Sequence, residues 1–345
     1  MSDIPQEPGR IPEWHGVDRR TFHDEIVPLG RPAVLRGVVR DWPSVRHAVD
    51  SPEAIGRYLA GLDSGSEHNA VLVPPEWSGR MFYRPDLSDF NFSRNNLSVS
   101  AVLQRLARYS HFERPPAVAL QSAPIATCLP GFLETNRLPL LDDSVLPRIW
   151  MGNAFLTPAH IDELDNIACV VSGRRRFTLF PPEQVGNLYI GPFEFTPAGA
   201  PVSMVSLKEP DFERYPRFRH ALAAAQVADL EPGDALFIPA VWWHHVESMD
   251  AVSILVNYWW EQVPRADAGA RISPTKSLVH ALLSIKDLPP AHRAAWGEMF
   301  AHFVFSPDDD RAAHIPEHRR GVLGELPADR IDAMLGALGT RGKPA

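Results

Sequence analysis

Between about residue 149 and residue 260, turn-forming residues divide the chain into short apolar or alternating runs. Ser172-Gly173 and Pro181-Pro182 are two of these breaks. The runs are too short for most helices but have the length and composition of β-strands, so they predict a β-rich domain. Many short strands separated by turns are typical of a double-sheet sandwich or a barrel such as a jelly roll. The predicted strands are 149–156, 166–172, 175–180, 202–206, 227–230, 235–238 and 252–258.

The remainder of the chain has a different pattern. Proline accounts for 34 of the 345 residues and is spread along the chain, which indicates short elements joined by turns. After Pro274 the apolar spacing becomes helical, and it predicts helices over 275–285, 290–303 and 328–338. We therefore predict a poorly ordered leader over 1–13, a jelly-roll domain with an N-terminal α/β elaboration over 14–265, and a helical region over 266–345.

The composition excludes several classes of function. The formal net charge is −8, and the basic residues are scattered, which argues against nucleic acid as the partner. No apolar stretch approaches the roughly 18 residues of a membrane span, so we expect no membrane partner. Cys128 and Cys169 form no CxxC motif, and the N-terminus lacks the pattern of a secretory signal. We therefore expect a cytoplasmic protein.

The chemistry is concentrated in His160-Ile161-Asp162 and, after 81 intervening residues, His244. An H-x-D pair at the start of a strand places both side chains on one face, because side chains alternate along a strand. A third ligand from a distant strand would complete a facial triad of two histidines and one carboxylate, the set typical of non-haem Fe(II) oxygenases. H-x-D alone also occurs by chance, and the adjacent His245 is an alternative third ligand.

Three consecutive arginines, Arg174 to Arg176, follow the predicted turn at Ser172-Gly173. Alternation along a strand puts Arg175 on the opposite face from its two neighbours. A buried cation without a partner is costly, so an inward-facing arginine would need an anion, and a guanidinium suits a carboxylate. A basic surface turn is the alternative interpretation.

A resemblance to a known family rests on four runs of residues: RPAVLRGVVRDWP, TPAHIDELDNIACVVSGRRRFTLFPPEQVGNLYIGP, LEPGDALFIPAVWWHHVES and ILVNYWW. In their order and spacing they resemble the cupin-like JmjC Fe(II)/2-oxoglutarate oxygenases, especially the asparaginyl hydroxylases of hypoxia-inducible factor. The resemblance implies a mostly β fold, a double-stranded β-helix (jelly roll of cupin/JmjC type) with flanking N-terminal helices and a C-terminal helical tail.

The resemblance also implies roles for individual residues. His160, Asp162 and His244 match the family's iron ligands, which selects His244 over His245. Arg175 stands where the related hydroxylases carry a lysine that pairs with the distal carboxylate of 2-oxoglutarate. Four further positions match residues beside the cosubstrate and the metal, with turn or core packing as the alternative: Thr157, Asn166, Asn257 and Trp259.

One departure from the family concerns the distal carboxylate. The related hydroxylases use a tyrosine on an earlier strand to bind it, and here Ala119 falls at that position. Either the additional donors of Arg175 replace the phenol, or the cosubstrate binds more weakly, or the cosubstrate is a different molecule.

The resemblance implies an enzyme that uses Fe(II), 2-oxoglutarate and O₂ to hydroxylate a C–H bond of a protein side chain or small molecule, releasing succinate and CO₂. Demethylation begins with the same C–H step and is the less favoured outcome. The alternatives are a metal-dependent cupin that does not use 2-oxoglutarate, and a non-catalytic JmjC-like binding module. The C-terminal helices predict a homodimer, although their apolar residues could equally pack against the barrel: Leu278, Leu282, Leu283, Met299, Phe300 and Phe303.

Overall fold

A computed structural model describes residues 8–261, 273–307 and 312–337 of the chain. The chain divides into two units between residues 261 and 262, and each is considered by itself. The first contains all of the strands found in the described residues, and the second is helical. The predicted domain boundary at residue 265 lies outside the described residues.

The first unit consists of two β-sheets and the helices that flank them. The five-stranded sheet has the order β1-β11-β10-β13-β8, and the nine-stranded sheet has the order β2-β3-β12-β9-β14-β7-β6-β4-β5. The strands are β1 Gly9–Arg10, β2 Glu13–His15, β3 Ala33–Arg36, β4 His68–Val73, β5 Ser93–Leu97, β6 Ala117–Pro124, β7 Arg148–Gly152, β8 Phe155–His160, β9 Asp165–Ser172, β10 Arg175–Phe180, β11 Gln226–Leu230, β12 Ala235–Ile238, β13 Trp243–Ser248 and β14 Ser253–Trp260.

Side-chain alternation separates two apolar layers in this unit. Val170 and Leu255 of the nine-stranded sheet pack with Phe177 of the five-stranded sheet, so this layer fills the barrel between the sheets. Cys169 and Val256, one residue along their strands, belong to a second layer that packs against the N-terminal helices. Because both faces of β9 and β14 are covered, the runs 167–171 and 254–256 at their centres are apolar on both faces, as in buried strands. The cupin-type jelly roll inferred from the sequence is therefore confirmed.

The N-terminal helices belong to the first unit and pack on the outer face of the nine-stranded sheet. In the helix Val99–Tyr109, Ser98 caps the N-terminus by accepting a hydrogen bond from the backbone N–H of Ala101, and Val102 and Leu106 are buried. These helices are α1 Arg19–Thr21, α2 Pro43–Asp50, α3 Pro52–Leu62, α4 Val99–Tyr109, α5 Ile125–Cys128 and α6 Phe132–Thr135. A later helix, α7 Phe218–Ala223, packs instead with Phe180 and Trp243 of the five-stranded sheet.

The described residues of the second unit form three α-helices, α8 Pro274–Ile285, α9 Pro290–Phe303 and α10 Ala328–Ala337. They agree with the helices expected from the sequence, except that Leu338 lies outside the described residues. Among the described residues, no helix is both long enough and apolar enough to cross a membrane. A homodimer through these helices stays a prediction.

Several strand boundaries differ from the expectation. The predicted strand 149–156 is two strands, and β8 continues through Thr157-Pro158, which the sequence had indicated as a turn. Pro158 is tolerated there because β8 is the last strand in its sheet, where a missing N–H breaks no ladder. The expected strand 202–206 forms isolated bridges, and β13 was not predicted. Residues 9–10 and 13 of the predicted leader lie in β1 and β2.

Candidate metal and cosubstrate site

The two histidines predicted as metal ligands are neighbours across the β8–β13 strand pair. His160, the last residue of β8, lies directly opposite His244 in β13, and their ring centroids are 4.2 Å apart. Asp162 follows in the loop after β8, so the H-x-D pair ends a strand and does not begin one. One ligand atom from each of the three side chains lies within 4.8 Å of the others. The fold thus brings together the three residues predicted as metal ligands.

Backbone carbonyls orient both imidazole rings. His160 Nδ1 lies 2.9 Å from the carbonyl oxygen of Pro158, and His244 Nδ1 lies 3.0 Å from that of Trp242. Because a carbonyl can only accept, each Nδ1 donates its proton, and Nε2 is the nitrogen of each ring that is left to bind a metal. Burial, and then the neighbouring His244 ring, lowers the pKa of His160 to about 4. His160 is therefore neutral near pH 7, as a metal ligand must be.

A chain of donated hydrogen bonds positions the Asp162 carboxylate. Trp259 Nε1 and Asn166 Nδ2 donate to Asp162 Oδ2 over 2.9 and 3.2 Å, and Asn257 Nδ2 donates to Asn166 Oδ1 over 2.9 Å. Burial alone would raise the pKa of Asp162, but the neighbouring imidazoles and these hydrogen bonds outweigh it and lower the pKa. Three of the predicted residues, Asn166, Asn257 and Trp259, thus support the carboxylate.

These donors fit a divalent metal ion. Two imidazoles and one carboxylate form the ligand set that leaves further coordination positions for other ligands. His245 is not part of this set. It occupies the next position along β13, where its side chain points to the opposite face and lies 3.5 Å from the Glu247 carboxylate. The structure therefore selects His244 between the two histidines that spacing alone had left open.

Arg175 faces the inside of the barrel. It lies opposite Ser248 of β13 and Leu230 of β11 and is only 7% exposed. Its neighbours Arg174 and Arg176 face outward and form ion pairs with Asp250 and Asp229. The alternation expected along this strand is therefore present.

Arg175 itself forms no hydrogen bond or ion pair with any residue in the described parts of the chain, and its Nε is fully buried. Burial lowers the pKa of Arg175 to about 9. An arginine held in this way has the donors and the charge to receive a carboxylate inside the barrel.

Thr157 and Ala119 line the same interior. Thr157 is half-buried opposite Val246, whose side chain belongs to the layer between the sheets, so Thr157 faces that space as well. Ala119 is buried in β6 opposite Gly152. No phenol or other polar group is therefore supplied at position 119.

Two further residues of the barrel interior escaped the sequence analysis. Trp150 Nε1 and Ser253 Oγ are buried and have no hydrogen-bond partner among the described residues. Both lie in strands that the sequence predicted, but a strand pattern alone does not reveal which polar atoms lack a partner. The pairing of β7 with β14 sets Trp150 and Ser253 on the inner face, and the sequence alone does not give that register.

Comparison with known proteins gives the family. The model of the cupin-like domain matches residues 19–266, more than half of the chain. Among curated proteins, lysine-specific demethylase 8 of Xenopus tropicalis is 27% identical over 251 residues, which cover 72% of this chain and 52% of that protein. HSPB1-associated protein 1 of Homo sapiens is 36% identical over 150 residues, covering 43% of this chain and 30% of that protein.

A third relative extends over most of the chain. The tRNA wybutosine-synthesizing protein 5 of Danio rerio is 27% identical over 321 residues, which cover 84% of this chain and 90% of that protein. By contrast, the chain spans about half the length of the Xenopus relative.

Proposed function

Because the chain belongs to the cupin-like domain family, we propose that it is an Fe(II)- and 2-oxoglutarate-dependent dioxygenase that hydroxylates a C–H bond of its substrate. One observation carries the proposal: a three-residue metal-ligand set and a buried arginine without a partner share the interior of one barrel. A barrel with a purely structural role would need neither feature. A metal would occupy the ligand set, and a dicarboxylate cosubstrate would pair with the arginine.

The roles of the residues follow from their chemistry. His160, Asp162 and His244 would hold Fe(II), and the bound metal would supply the activation of O₂ that oxidises the C–H bond, with succinate and CO₂ as coproducts. Asn166 would hold the Asp162 carboxylate in its orientation.

The cosubstrate would be fixed by two residues of the five-stranded sheet, Arg175 of β10 and Thr157 of β8. Arg175 would pair with the distal carboxylate of 2-oxoglutarate, and Thr157 would donate its hydroxyl to the same molecule. The apolar layer around them would keep water from the reacting atoms.

The substrate that we propose is a protein side chain or a small molecule. A cleft of about 260 Å³ between residues 77–87 and 204–215 is lined by three arginines and two acidic residues: Arg80, Arg84, Arg214, Glu209 and Asp211. This mixed charge favours a polar substrate over a polyphosphate backbone, which selects a strongly basic surface. The Danio relative makes a modified tRNA base the competing substrate class, and the Xenopus relative makes demethylation the competing outcome.

The test is an anaerobic titration of the purified chain with Fe(II) and then with 2-oxoglutarate, following the visible metal-to-ligand charge-transfer band. We expect a band that is absent in His160→Ala and that requires far more 2-oxoglutarate in Arg175→Ala. Arg176→Ala is the matched control, because Arg176 is the outward-facing neighbour on the same strand. His245→Ala controls in the same way for His160→Ala.

Each other result has a definite meaning. Iron binding without the band would reject 2-oxoglutarate and favour a cupin with different chemistry. Failure to bind any divalent metal would favour a non-catalytic binding module. Once the band is seen, mass spectrometry distinguishes a retained hydroxyl group, which adds 16 Da, from demethylation, which releases formaldehyde.

A further inference from the structure

Three buried donors without partners lie at one end of the barrel interior: Trp150 Nε1, Arg175 Nε and Ser253 Oγ. We propose that Trp150 and Ser253, together with Arg175, bind the distal carboxylate of the cosubstrate. They would replace the tyrosine of the related hydroxylases, whose position is occupied here by Ala119. This inference rests on the proposed function. It explains how this chain could bind a dicarboxylate without a tyrosine hydroxyl at position 119.

Strand register places Ser253 in the same row as the missing tyrosine. Ala119 of β6 lies opposite Gly152 of β7, and Gly152 lies opposite Ser253 of β14. Residues directly opposite one another on antiparallel strands project from the same face of the sheet. The row Ala119–Gly152–Ser253 therefore lies on the inner face, and the Ser253 hydroxyl is the one polar side-chain group in it.

Gly152 is required at the centre of this row. A Cβ on Gly152 would lie 2.2 Å from the carbonyl oxygen of Val118 and 3.2 Å from the Ala119 Cβ. No other residue fits at this position without moving the backbone. β6 and β7 therefore approach each other too closely here for any side chain at position 152.

Trp150 lies diagonally across from Ser253. It is directly opposite Leu255, two residues along β14 from Ser253, and it packs on the apolar layer between the sheets. Diagonal neighbours on antiparallel strands are within reach of an aromatic side chain. The indole N–H and the Ser253 hydroxyl thus belong to one patch of the barrel wall.

Arg175 reaches this patch from the other sheet. The β9–β10 turn passes so close to β14 that a Cβ on Gly173 would lie 3.3 Å from the Ser253 Cα. Arg175 begins β10 two residues after this glycine, with its side chain on the inner face. The cation and the two neutral donors therefore lie at the same end of the barrel.

The absence of partners indicates a ligand. Buried polar side-chain atoms are nearly always hydrogen-bonded, because leaving one without a partner costs free energy. Here one cation and two neutral donors share one end of a barrel, and among them only the Ser253 hydroxyl can also accept a hydrogen bond. The group that complements them is an acceptor with several lone pairs and a negative charge, and a carboxylate has both.

The experiment measures the affinity of the anaerobic Fe(II)-loaded chain for 2-oxoglutarate from the charge-transfer band, with Ser253→Ala, Trp150→Phe and the double variant. We expect each single change to weaken binding on the order of tenfold, since a hydrogen bond to a charged group is lost. Trp42→Phe is the control, because the Trp42 indole donates to the Arg137 carbonyl away from the barrel interior.

A second ligand shows which end of the cosubstrate is affected. 2-Oxobutyrate keeps the keto acid but lacks the distal carboxylate, so its affinity should be the same in the wild type and in the variants. Ala119→Tyr in the Ser253→Ala background should restore part of the affinity for 2-oxoglutarate. Thermal unfolding without ligand checks folding, and Ser253→Ala should unfold at the same temperature as the wild type or higher.

The results separate this inference from the proposed function. If the wild type shows no band, the proposed function fails. If the wild type binds 2-oxoglutarate and both single variants bind it equally well, the assignment of Trp150 and Ser253 is wrong. An equal loss of affinity for 2-oxoglutarate and 2-oxobutyrate would also overturn it, since the defect would then lie outside the distal carboxylate.

Discussion

The two ends of the barrel interior differ in how their buried polar groups are hydrogen-bonded. At the metal-ligand end, the two imidazoles and the carboxylate are held by hydrogen bonds from the protein itself. At the other end, Trp150, Arg175 and Ser253 carry buried donors that no described residue accepts. At the first end the protein orients all three candidate ligands, although Asn257 Oδ1 has no partner among the described residues, whereas at the second end three donors lack an acceptor.

The difference follows from what each end must bind. A metal ion needs ligands that are deprotonated and aimed before it arrives, so the protein fixes their tautomers and orientations. An anionic cosubstrate brings its own hydrogen-bond acceptors. Donors that already formed hydrogen bonds within the protein would not be available to bind it. The unpaired donors lower the stability of the empty protein, as functional sites often do.

Removal of a metal ligand should have the largest effect of the four substitutions, and it acts at the metal-ligand end. His160→Ala deletes one of three ligands, so we expect metal affinity to fall by several orders of magnitude. Calorimetric titration with Fe(II), or with Zn²⁺ in air, measures it. His245→Ala lies on the other face of β13 and should bind metal as the wild type does; comparable losses in both variants would contradict the assignment of the ligands.

Trp259→Phe tests whether the hydrogen bonds at the metal-ligand end position Asp162. The ring is kept but the donor to Asp162 Oδ2 is lost, and we expect metal affinity to fall by about 10- to 100-fold. Trp260→Phe is the matched control, because Trp260 packs against Phe22 and Phe237 on the opposite face. An unchanged affinity in Trp259→Phe would show that this bond does not position the ligand.

Arg175→Met, at the other end of the barrel interior, should raise the stability of the ligand-free protein. It removes a buried, unpaired cation and keeps an apolar stem, so the ligand-free protein should gain about 1–2 kcal/mol in its free energy of unfolding. Chemical denaturation measures this gain. Excess 2-oxoglutarate with metal should stabilise the wild type but not the variant. Loss of stability without ligand would mean that Arg175 is satisfied within the protein.

We expect the smallest effect from a substitution of Arg176, the outward-facing arginine of the same strand. Arg176→Ala breaks an exposed ion pair with Asp229, and exposed pairs contribute only about 0–1 kcal/mol. Denaturation and 2-oxoglutarate titration should therefore both give values close to the wild type. A large change in the affinity for 2-oxoglutarate would mean that the two faces of β10 are not independent.

Much of this organisation could be predicted from residue order. The separation of His160-Ile161-Asp162 from His244 indicated a facial triad, and alternation along the strand separated Arg175 from its two neighbours. Spacing alone could not distinguish His244 from His245, because the two residues are adjacent. The resemblance to a known family selected His244, and the pairing that sets His244 opposite His160 agrees with that choice.

What the sequence by itself determined is local: the turns, the short apolar strands, the residue types of the metal-ligand set and the face on which Arg175 lies. The tertiary structure decided which strands pair and in which register. Only the register shows that β8 ends at the ligands, that Ala119, Gly152 and Ser253 form one row, and that Trp150 lies beside it. The physical reason is that alternation is a property of one strand, whereas an unpaired buried donor is a property of everything packed around it.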